Sequence, residues 1–216
     1  MNHRQLAIAR RVKFIFDKGA FISFAFDTHK GRNRKEIISL FPAKQGKESR
    51  LNLIKSIALF FDKNIARLVS VKSQEEYDKA FYHFINDFRN FLAKRKLCND
   101  FSTDNYLFWS YFTKTSNILL YDILTSNEVI ETQKFLCIRD FMHVPIDKKV
   151  INEIQDRISK CNMDDKRKII SKLKYYNKLN KIDSQEDYIY IQGVIRRVQK
   201  LFSEPVIWIE DAYILS

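Results

Sequence analysis

Residues 133–150 read QKFLCIRDFMHVPIDKKV, and the order of residue types in this stretch decides how the chain divides into helices. An apolar helical pattern ends before Pro145, which cannot continue a helix and favours extended geometry at His143 and Val144. Asp147 then stands where the N-cap of a new basic helix falls, beside free backbone N–H groups. The stretch predicts a helix, a break and a capped helix. The plain interpretation of such a Pro-x-Asp is a structural cap.

The rest of the chain has the composition of an all-α protein. It contains 216 residues, of which 45% are hydrophobic, and this is ample for a core. Four glycines and three prolines are too few for the turns of an all-β design. Serine caps are predicted at Ser73, Ser102 and Ser184. We therefore predict a compact all-α domain of about ten helices over residues 1–216, with 42–48 as a weak boundary between two subdomains.

The formal charge of +12 favours a polyanionic partner, and nucleic acid, duplex DNA above all, is the default candidate. The alternative is a basic protein whose charge serves solubility. No segment joins a clean basic face to an unbroken apolar one, so we expect no membrane partner. The sequence shows no signal peptide and no run of membrane-spanning length, which predicts an intracellular, cytoplasmic protein.

Two basic regions are the best candidates for phosphate contact. Residues 30–35 read KGRNRK, and Gly31 allows a loop with positive φ, although a solvated charge run explains the same letters equally well. The segment from Lys166 is the most basic part of the chain. The residues that we predict to bind nucleic acid are Arg32, Arg34, Arg139, Lys148, Lys149, Lys166, Arg167 and Lys168.

Motifs for metals and cofactors are absent from the sequence. It contains no Cys-x-x-Cys and no His-x-x-x-His, so a zinc site is not expected. It contains no P-loop, no dinucleotide fingerprint and no nucleophile elbow, so we expect no cofactor. What remains is a basic helical protein with one unusual aspartate, Asp147.

Residues 144–150, VPIDKKV, follow a hydrophobic helix and resemble the helix-hairpin-helix DNA glycosylase superfamily, in which a Pro-hydrophobic-Asp stretch opens the next helix. Residues 191–213 are similar to the last helices of its archaeal 8-oxoguanine glycosylase branch. They comprise a helix with Val198-Gln199-Lys200, then a proline, an acid and aromatics. The resemblance covers mainly residues 125–213 and implies a glycosylase-like helical fold.

The resemblance also implies an activity, the excision of a damaged or modified base from DNA. In that superfamily the aspartate corresponding to Asp147 stabilises the positive charge that develops on the deoxyribose, or helps to position the attacking group. Bifunctional members use a lysine amine that forms a Schiff base with C1′, and Lys134 is the nearest candidate, which would make the protein a lyase as well. Trp109, Phe141 and Trp208 are candidates for the aromatic walls of a base pocket.

The sequence departs from the family at two places. No glycine occurs between Gly46 and Gly193, although the family's hairpin is usually glycine-rich, and Lys134 lies closer to the aspartate than the family's lysine usually does. If the lysine is absent, water and Asp147 could still release a base. Two other functions therefore stay open, namely a non-catalytic helical protein that binds DNA or RNA and a protein-interaction domain.

Overall fold

The computed structural model describes residues 1–17, 47–98 and 102–202. Within these ranges all regular structure is helical and no strand occurs, which confirms the predicted all-α class. The α-helices, eight in the described ranges, are α1 (His3–Asp17), α2 (Lys47–Val69), α3 (Gln74–Lys94), α4 (Thr113–Leu124), α5 (Thr132–Arg139), α6 (Lys148–Lys160), α7 (Lys166–Tyr176) and α8 (Gln185–Phe202). The predicted count of about ten includes residues outside these ranges and stays a prediction.

The chain divides into two compact units, each made of two separate segments. The first unit comprises Met1–Phe101 and Ile118–Phe141, and the second comprises Ser102–Asn117 and Met142–Ser216. The predicted boundary near 42–48 lies mostly outside the described residues, as do the basic loop with Arg32 and Arg34 and the aromatic Trp208.

The first unit is built around aromatic side chains. In it α2 packs against α1, α3 and α5. Phe61 on α2 lies edge-on to Phe84 and Phe88 of α3, with ring centroids 5.1 and 5.4 Å apart. On the surface of this unit, Arg11 of α1 donates two hydrogen bonds to the Asp122 carboxylate, at 3.0 and 2.7 Å. Large buried rings with favourable edge contacts supply most of the burial that holds these helices together.

The second unit is built from α6, α7 and α8 with a π-helical segment, Leu107–Phe112, and a 3-10 turn, Leu179–Lys181. In this unit α6 packs against both α7 and α8, and the π-helical segment packs against α8 and the 3-10 turn. Ile151, Ile154 and Ile158 form the buried stripe of α6 at helical spacing. Helical amphipathicity therefore decides which face of each helix turns inward.

The caps predicted at Ser73, Asp147 and Ser184 are confirmed, whereas the cap predicted at Ser102 is wrong, because its hydroxyl accepts from the N–H of Asp104 and the helical segment begins only at Leu107. The Ser73 hydroxyl accepts from the backbone N–H of Glu76 at 3.2 Å, and Ser184 accepts from the N–H of Asp187 at 3.2 Å. Asp147 caps α6 as predicted, since its Oδ1 accepts from the N–H of Val150 at 2.9 Å. These bonds join residues three positions apart, so the local sequence suffices to specify them.

Two helices differ from the predicted boundaries. The sequence predicts a helix over 105–114 and a further short apolar segment over 115–124, but helical structure runs on from Leu107 to Leu124 because neither proline nor glycine interrupts it. The helix predicted over 129–142 is the shorter α5, and residues 142–147 form no regular element. The helix ends at Arg139, six positions before Pro145, which is farther than the restriction that a proline places on the residue before it.

Candidate active site

Asp147 is a buried cap, and both of its carboxylate oxygens are engaged. The residue is only 6% exposed. Oδ1 accepts from the N–H of Val150, and Oδ2 accepts from Nζ of Lys114 at 3.1 Å. The partner lysine lies on α4, 33 positions earlier in the chain. The unusual aspartate of the sequence is therefore one half of a buried ion pair.

Lys114 is the buried cation of this pair, and its side chain is 5% exposed. Burial lowers the pKa of the Lys114 amine from its ordinary value to about 8, although the charge and the hydrogen bond of Asp147 oppose this effect. The charge of Lys149 adds to the lowering. Lys149 is exposed and lies in the first turn of α6, directly after the cap.

A lysine with this pKa has the chemistry of a nucleophile at physiological pH. At pH 7 roughly a tenth of an amine with a pKa of about 8 is neutral, against well under a thousandth of an ordinary lysine. Desolvated lysines of this kind are the amines that attack carbonyl-like carbons in proteins. The adjacent carboxylate supplies a fixed negative charge to the same small region.

The segment around Lys114 is polar although it lies in the core. Five consecutive polar residues, 113–117 (TKTSN), are all buried. The hydroxyls of Thr113, Thr115 and Ser116 each donate to the backbone carbonyl four residues earlier, at 2.6, 2.9 and 2.8 Å. A π-helical segment, a feature common at functional sites, leads into this run. Burying so many polar groups is costly unless each has a partner, and here each has one.

A second set of contacts fixes the two segments that carry Lys114 and Asp147. Asn117, one helical turn after Lys114, donates to the hydroxyl of Tyr188 at 2.9 Å. Nδ1 of His143, four residues before Asp147, lies 3.1 Å from the same hydroxyl. The Tyr188 ring therefore joins both segments to α8.

Gln192 of α8 holds the chain between His143 and Asp147. Its Oε1 accepts from the N–H of Val144 at 3.1 Å, and its Nε2 donates to the Val144 carbonyl at 2.7 Å. Tyr188 and Gln192 are four positions apart and so share one face of the helix. This face of α8 positions the non-helical residues that lead into Asp147.

The predicted site residues fall into both units. Lys148 and Lys149 are exposed beside Asp147, and Trp109 packs on Tyr188 with ring centroids 5.6 Å apart, all in the second unit. Arg167 and Lys168 are exposed and Lys166 is half-buried at the start of α7, also in the second unit. Three other predicted residues, Lys134, Arg139 and Phe141, lie in the first unit.

In the first unit Lys134 is exposed and pairs with Glu131 at 3.1 Å. Arg139 is half-buried and pairs with Asp140 at 3.3 Å. Phe141 is half-buried, and its carbonyl accepts from the Gln74 amide at 2.9 Å. Their predicted roles stay predictions, as do those of Arg32, Arg34 and Trp208, which lie outside the described residues.

Sequence reasoning missed Lys114, because it reads as one lysine within an aromatic-rich helix. The signal that could have found it is the run TKTSN, in which five polar residues interrupt an apolar stretch. It also missed Asn117, Tyr188 and Gln192, since nothing in their local sequence distinguishes them from surface residues. Their role depends on contacts across more than 40 positions.

Two further properties bear on the chemistry that this chain can hold. In the described ranges, no three side chains of the His, Cys, Asp and Glu types converge as metal ligands would. None of the helices described here is both long and apolar enough to cross a bilayer.

Comparisons with protein-family models, curated proteins and solved structures find no match to this chain.

Proposed function

We propose that this protein is a DNA N-glycosylase that excises a damaged or modified base, with Asp147 stabilising the sugar cation and Lys114 supplying an amine nucleophile. The observation that carries the proposal is the buried pair of Lys114 and Asp147, in which Nζ lies 3.1 Å from Oδ2 and the amine has a pKa of about 8. Strongly perturbed lysines beside a fixed carboxylate are concentrated at functional sites.

The charge on each group suits a different part of the reaction. The sugar becomes cation-like as the base leaves, and an ionised carboxylate next to it lowers the free energy of that state. Asp147 is held in place by its bond to the N–H of Val150 and so needs little reorganisation. The neutral fraction of Lys114 provides the lone pair that forms the new bond.

The proposed covalent step conserves atoms and electrons. Nζ of Lys114 bonds to C1′ while the bond from C1′ to the base nitrogen breaks, and the base leaves with that electron pair and one amine proton. The nitrogen lone pair then forms a double bond to C1′ as the bond from C1′ to O4′ breaks. O4′ takes the remaining amine proton, and the product is a Schiff base between Lys114 and the opened sugar.

Exposed cations surround the start of α6, where the substrate would have to approach. Lys148 and Lys149 are exposed immediately after Asp147, and the net charge of the chain is +12. Cations at this place attract the phosphates on either side of the target nucleotide. The charge distribution thus supports a nucleic-acid substrate for this pair.

The decisive experiment is borohydride trapping on a duplex that carries a preformed abasic site. This probe offers the C1′ aldehyde directly, so it tests the amine without knowledge of the base. We expect the wild-type protein to form a covalent adduct and Lys114→Gln to form none. Lys55→Gln, at an exposed lysine of the first unit, is the matched control and should still be trapped. Peptide mapping of the adduct identifies the lysine.

Base release is measured separately, on duplexes with single modified bases that include 8-oxoguanine. Asp147→Asn keeps a side-chain oxygen for the cap and should lose most of its base release. If the Lys114→Gln variant were still trapped but the Lys134→Gln variant were not, the nucleophile would be Lys134 and not Lys114. A wild-type protein that binds duplex DNA but neither traps nor releases any base would contradict the glycosylase proposal.

A further inference from the structure

The outward face of α7 combines lysines with an exposed aromatic ring. Lys168, Lys172 and Tyr175 are spaced i, i+4 and i+7, so they share one face of the helix, and all three are exposed. The opposite stripe, Ile169, Leu173 and Tyr176, is buried. The amphipathic pattern of α7 therefore explains its inner face but not the presence of a tyrosine on its outer face.

Tyr175 is the most exposed aromatic side chain among those whose burial is described. It is 55% exposed, the highest value among the large hydrophobic side chains in the described part of the chain. The edge of its ring contacts Tyr176 with centroids 5.5 Å apart, and Tyr176 is fixed in turn by a hydrogen bond to Asp187. The ring is thus held by a rigid neighbour, while much of its surface stays open to solvent.

Lysines of the same surface lie over aromatic rings. Nζ of Lys181 lies 5.5 Å from the ring centroid of Tyr175, and Nζ of Lys172 lies 3.8 Å from that of Tyr190 on α8. Contacts of this kind keep a flexible lysine close to an aromatic face. We call the group of Lys168, Lys172, Tyr175, Lys181 and Tyr190 the Tyr175 surface.

Two acids near this surface, Asp165 and Asp187, are hydrogen-bonded to other groups, although the charge of Lys168 also acts on Asp165. Asp165 accepts two hydrogen bonds from Arg197, at 3.2 and 3.1 Å, and this pairing holds the pKa of its carboxyl below the usual value. Asp187 accepts from the Tyr176 hydroxyl. Within the described ranges, no carboxylate forms an ion pair with any lysine of the Tyr175 surface. These charges are therefore available to an external anion.

We propose that the Tyr175 surface binds a single-stranded segment of nucleic acid, with one unpaired base stacked on Tyr175 and the flanking phosphates at Lys168, Lys172 and Lys181. An exposed aromatic ring among cations is the arrangement that single-strand binding requires, because every base has a stackable face and every linkage carries a charge. An anionic membrane would instead call for exposed aliphatic side chains on the same face, and α7 presents lysines there.

This inference rests on the proposed function for the identity of the partner as nucleic acid, and it adds a binding place for an unpaired segment outside the candidate active site. α8 connects the two regions, since it carries Tyr188 and Gln192 of the candidate active site and Tyr190 of the Tyr175 surface. Tyr190 lies two positions from both Tyr188 and Gln192, so it lies on the opposite side of α8 from these two residues. Of the Tyr175 surface only Tyr190 lies on α8, while Lys168, Lys172 and Tyr175 lie on α7.

The test is fluorescence anisotropy with the full chain, a labelled oligothymidylate and a duplex of the same length. We expect Tyr175→Ala to weaken binding to the single strand by about tenfold and to the duplex by less than about twofold. Tyr175→Phe should keep the wild-type affinity, since the ring remains. Lys172→Gln should lower the salt dependence of single-strand binding, while the exposed Lys55→Gln of the first unit should not.

The outcomes separate this inference from the proposed function. If Tyr175→Ala bound the oligothymidylate like the wild-type protein, the proposed role of the Tyr175 surface would be wrong, whatever the result of borohydride trapping. Both proposals would stand if Lys114→Gln abolished trapping and left single-strand binding unchanged, while Tyr175→Ala weakened binding to the single strand. If Tyr175→Ala weakened single-strand binding but the wild-type protein formed no trapped adduct, the proposed role of the Tyr175 surface would stand and the glycosylase proposal would be wrong. Tyr175-dependent binding to vesicles of anionic lipid, with none to the oligonucleotide, would assign the surface to a membrane instead.

Discussion

At the scale of single residues, the molecule depends on a lysine that is costly to bury. A buried ion pair loses more hydration than a surface pair, and its own attraction repays that loss only with good geometry. Lys114 and Asp147 have this geometry, with 3.1 Å between Nζ and Oδ2 and a further backbone bond to Asp147. The lowered pKa of Lys114 is the measurable consequence of its burial.

The pKa of Lys114 predicts how trapping depends on pH. Because the neutral amine is the reactive form, the trapping rate should rise about tenfold per pH unit below pH 8 and level off above it. The measurement is the initial rate on the abasic duplex at a series of pH values. A rate that kept rising to the pKa of an ordinary lysine would show that a different amine reacts.

The same pKa predicts a pH-dependent stability. The folded-state pKa of Lys114 is about 8 and the unfolded value is 10.5, so between these values the unfolded chain binds more protons. The free energy of unfolding should therefore rise with pH across this window and gain nothing from Lys114 below it. Denaturant unfolding of the wild-type protein and of Lys114→Met, compared at pH 7 and pH 10, isolates this contribution.

Removing one partner of the pair should cost more than removing both. Asp147→Ala leaves the Lys114 charge buried without its carboxylate, and we expect a loss of about 3–5 kcal/mol in unfolding free energy. It also removes the cap of α6, which contributes about 1 kcal/mol. The double variant with Lys114→Met and Asp147→Ala should recover most of the loss apart from that of the cap. Equal stability of the single and double variants would contradict a coupled pair.

At the scale of elements, α8 is the support of the candidate site. Its inner face carries Tyr188 and Gln192, which reach His143 and Val144 in the non-helical residues before α6. These residues lie between two helices and belong to no regular element, so their backbone groups need side chains as hydrogen-bond partners. A side chain on a rigid helix provides partners with little loss of entropy.

Gln192→Ala should loosen the approach to Asp147. The N–H of Val144 loses its acceptor, and hydrogen exchange at that amide should become faster, while the helical amides of α6 keep their protection. Loss of this buried amide should lower the unfolding free energy by about 1–3 kcal/mol. Gln185→Ala, an exposed glutamine at the start of α8, is the matched control and should change neither quantity.

At the scale of the whole molecule, the charge of +12 predicts the energetics of binding. Affinity for duplex DNA should fall steeply with salt, with a slope of roughly −0.9 for each phosphate that is neutralised. Replacing Lys166, Arg167 and Lys168 together by glutamine should reduce the magnitude of this slope by about 2–3. A protein that ignored DNA even at low salt would rule out both nucleic-acid functions and leave a protein-interaction domain.

The sequence by itself determined the helical class, the caps at Ser73, Asp147 and Ser184, and the surplus of positive charge. Each of these follows from composition or from bonds between residues about three positions apart, so no tertiary contact is needed to specify them. Only the tertiary structure decided that Asp147 meets Lys114, since 33 positions separate them. It also decided the pKa of that lysine, because desolvation depends on which atoms surround the amine and not on its neighbours in the chain.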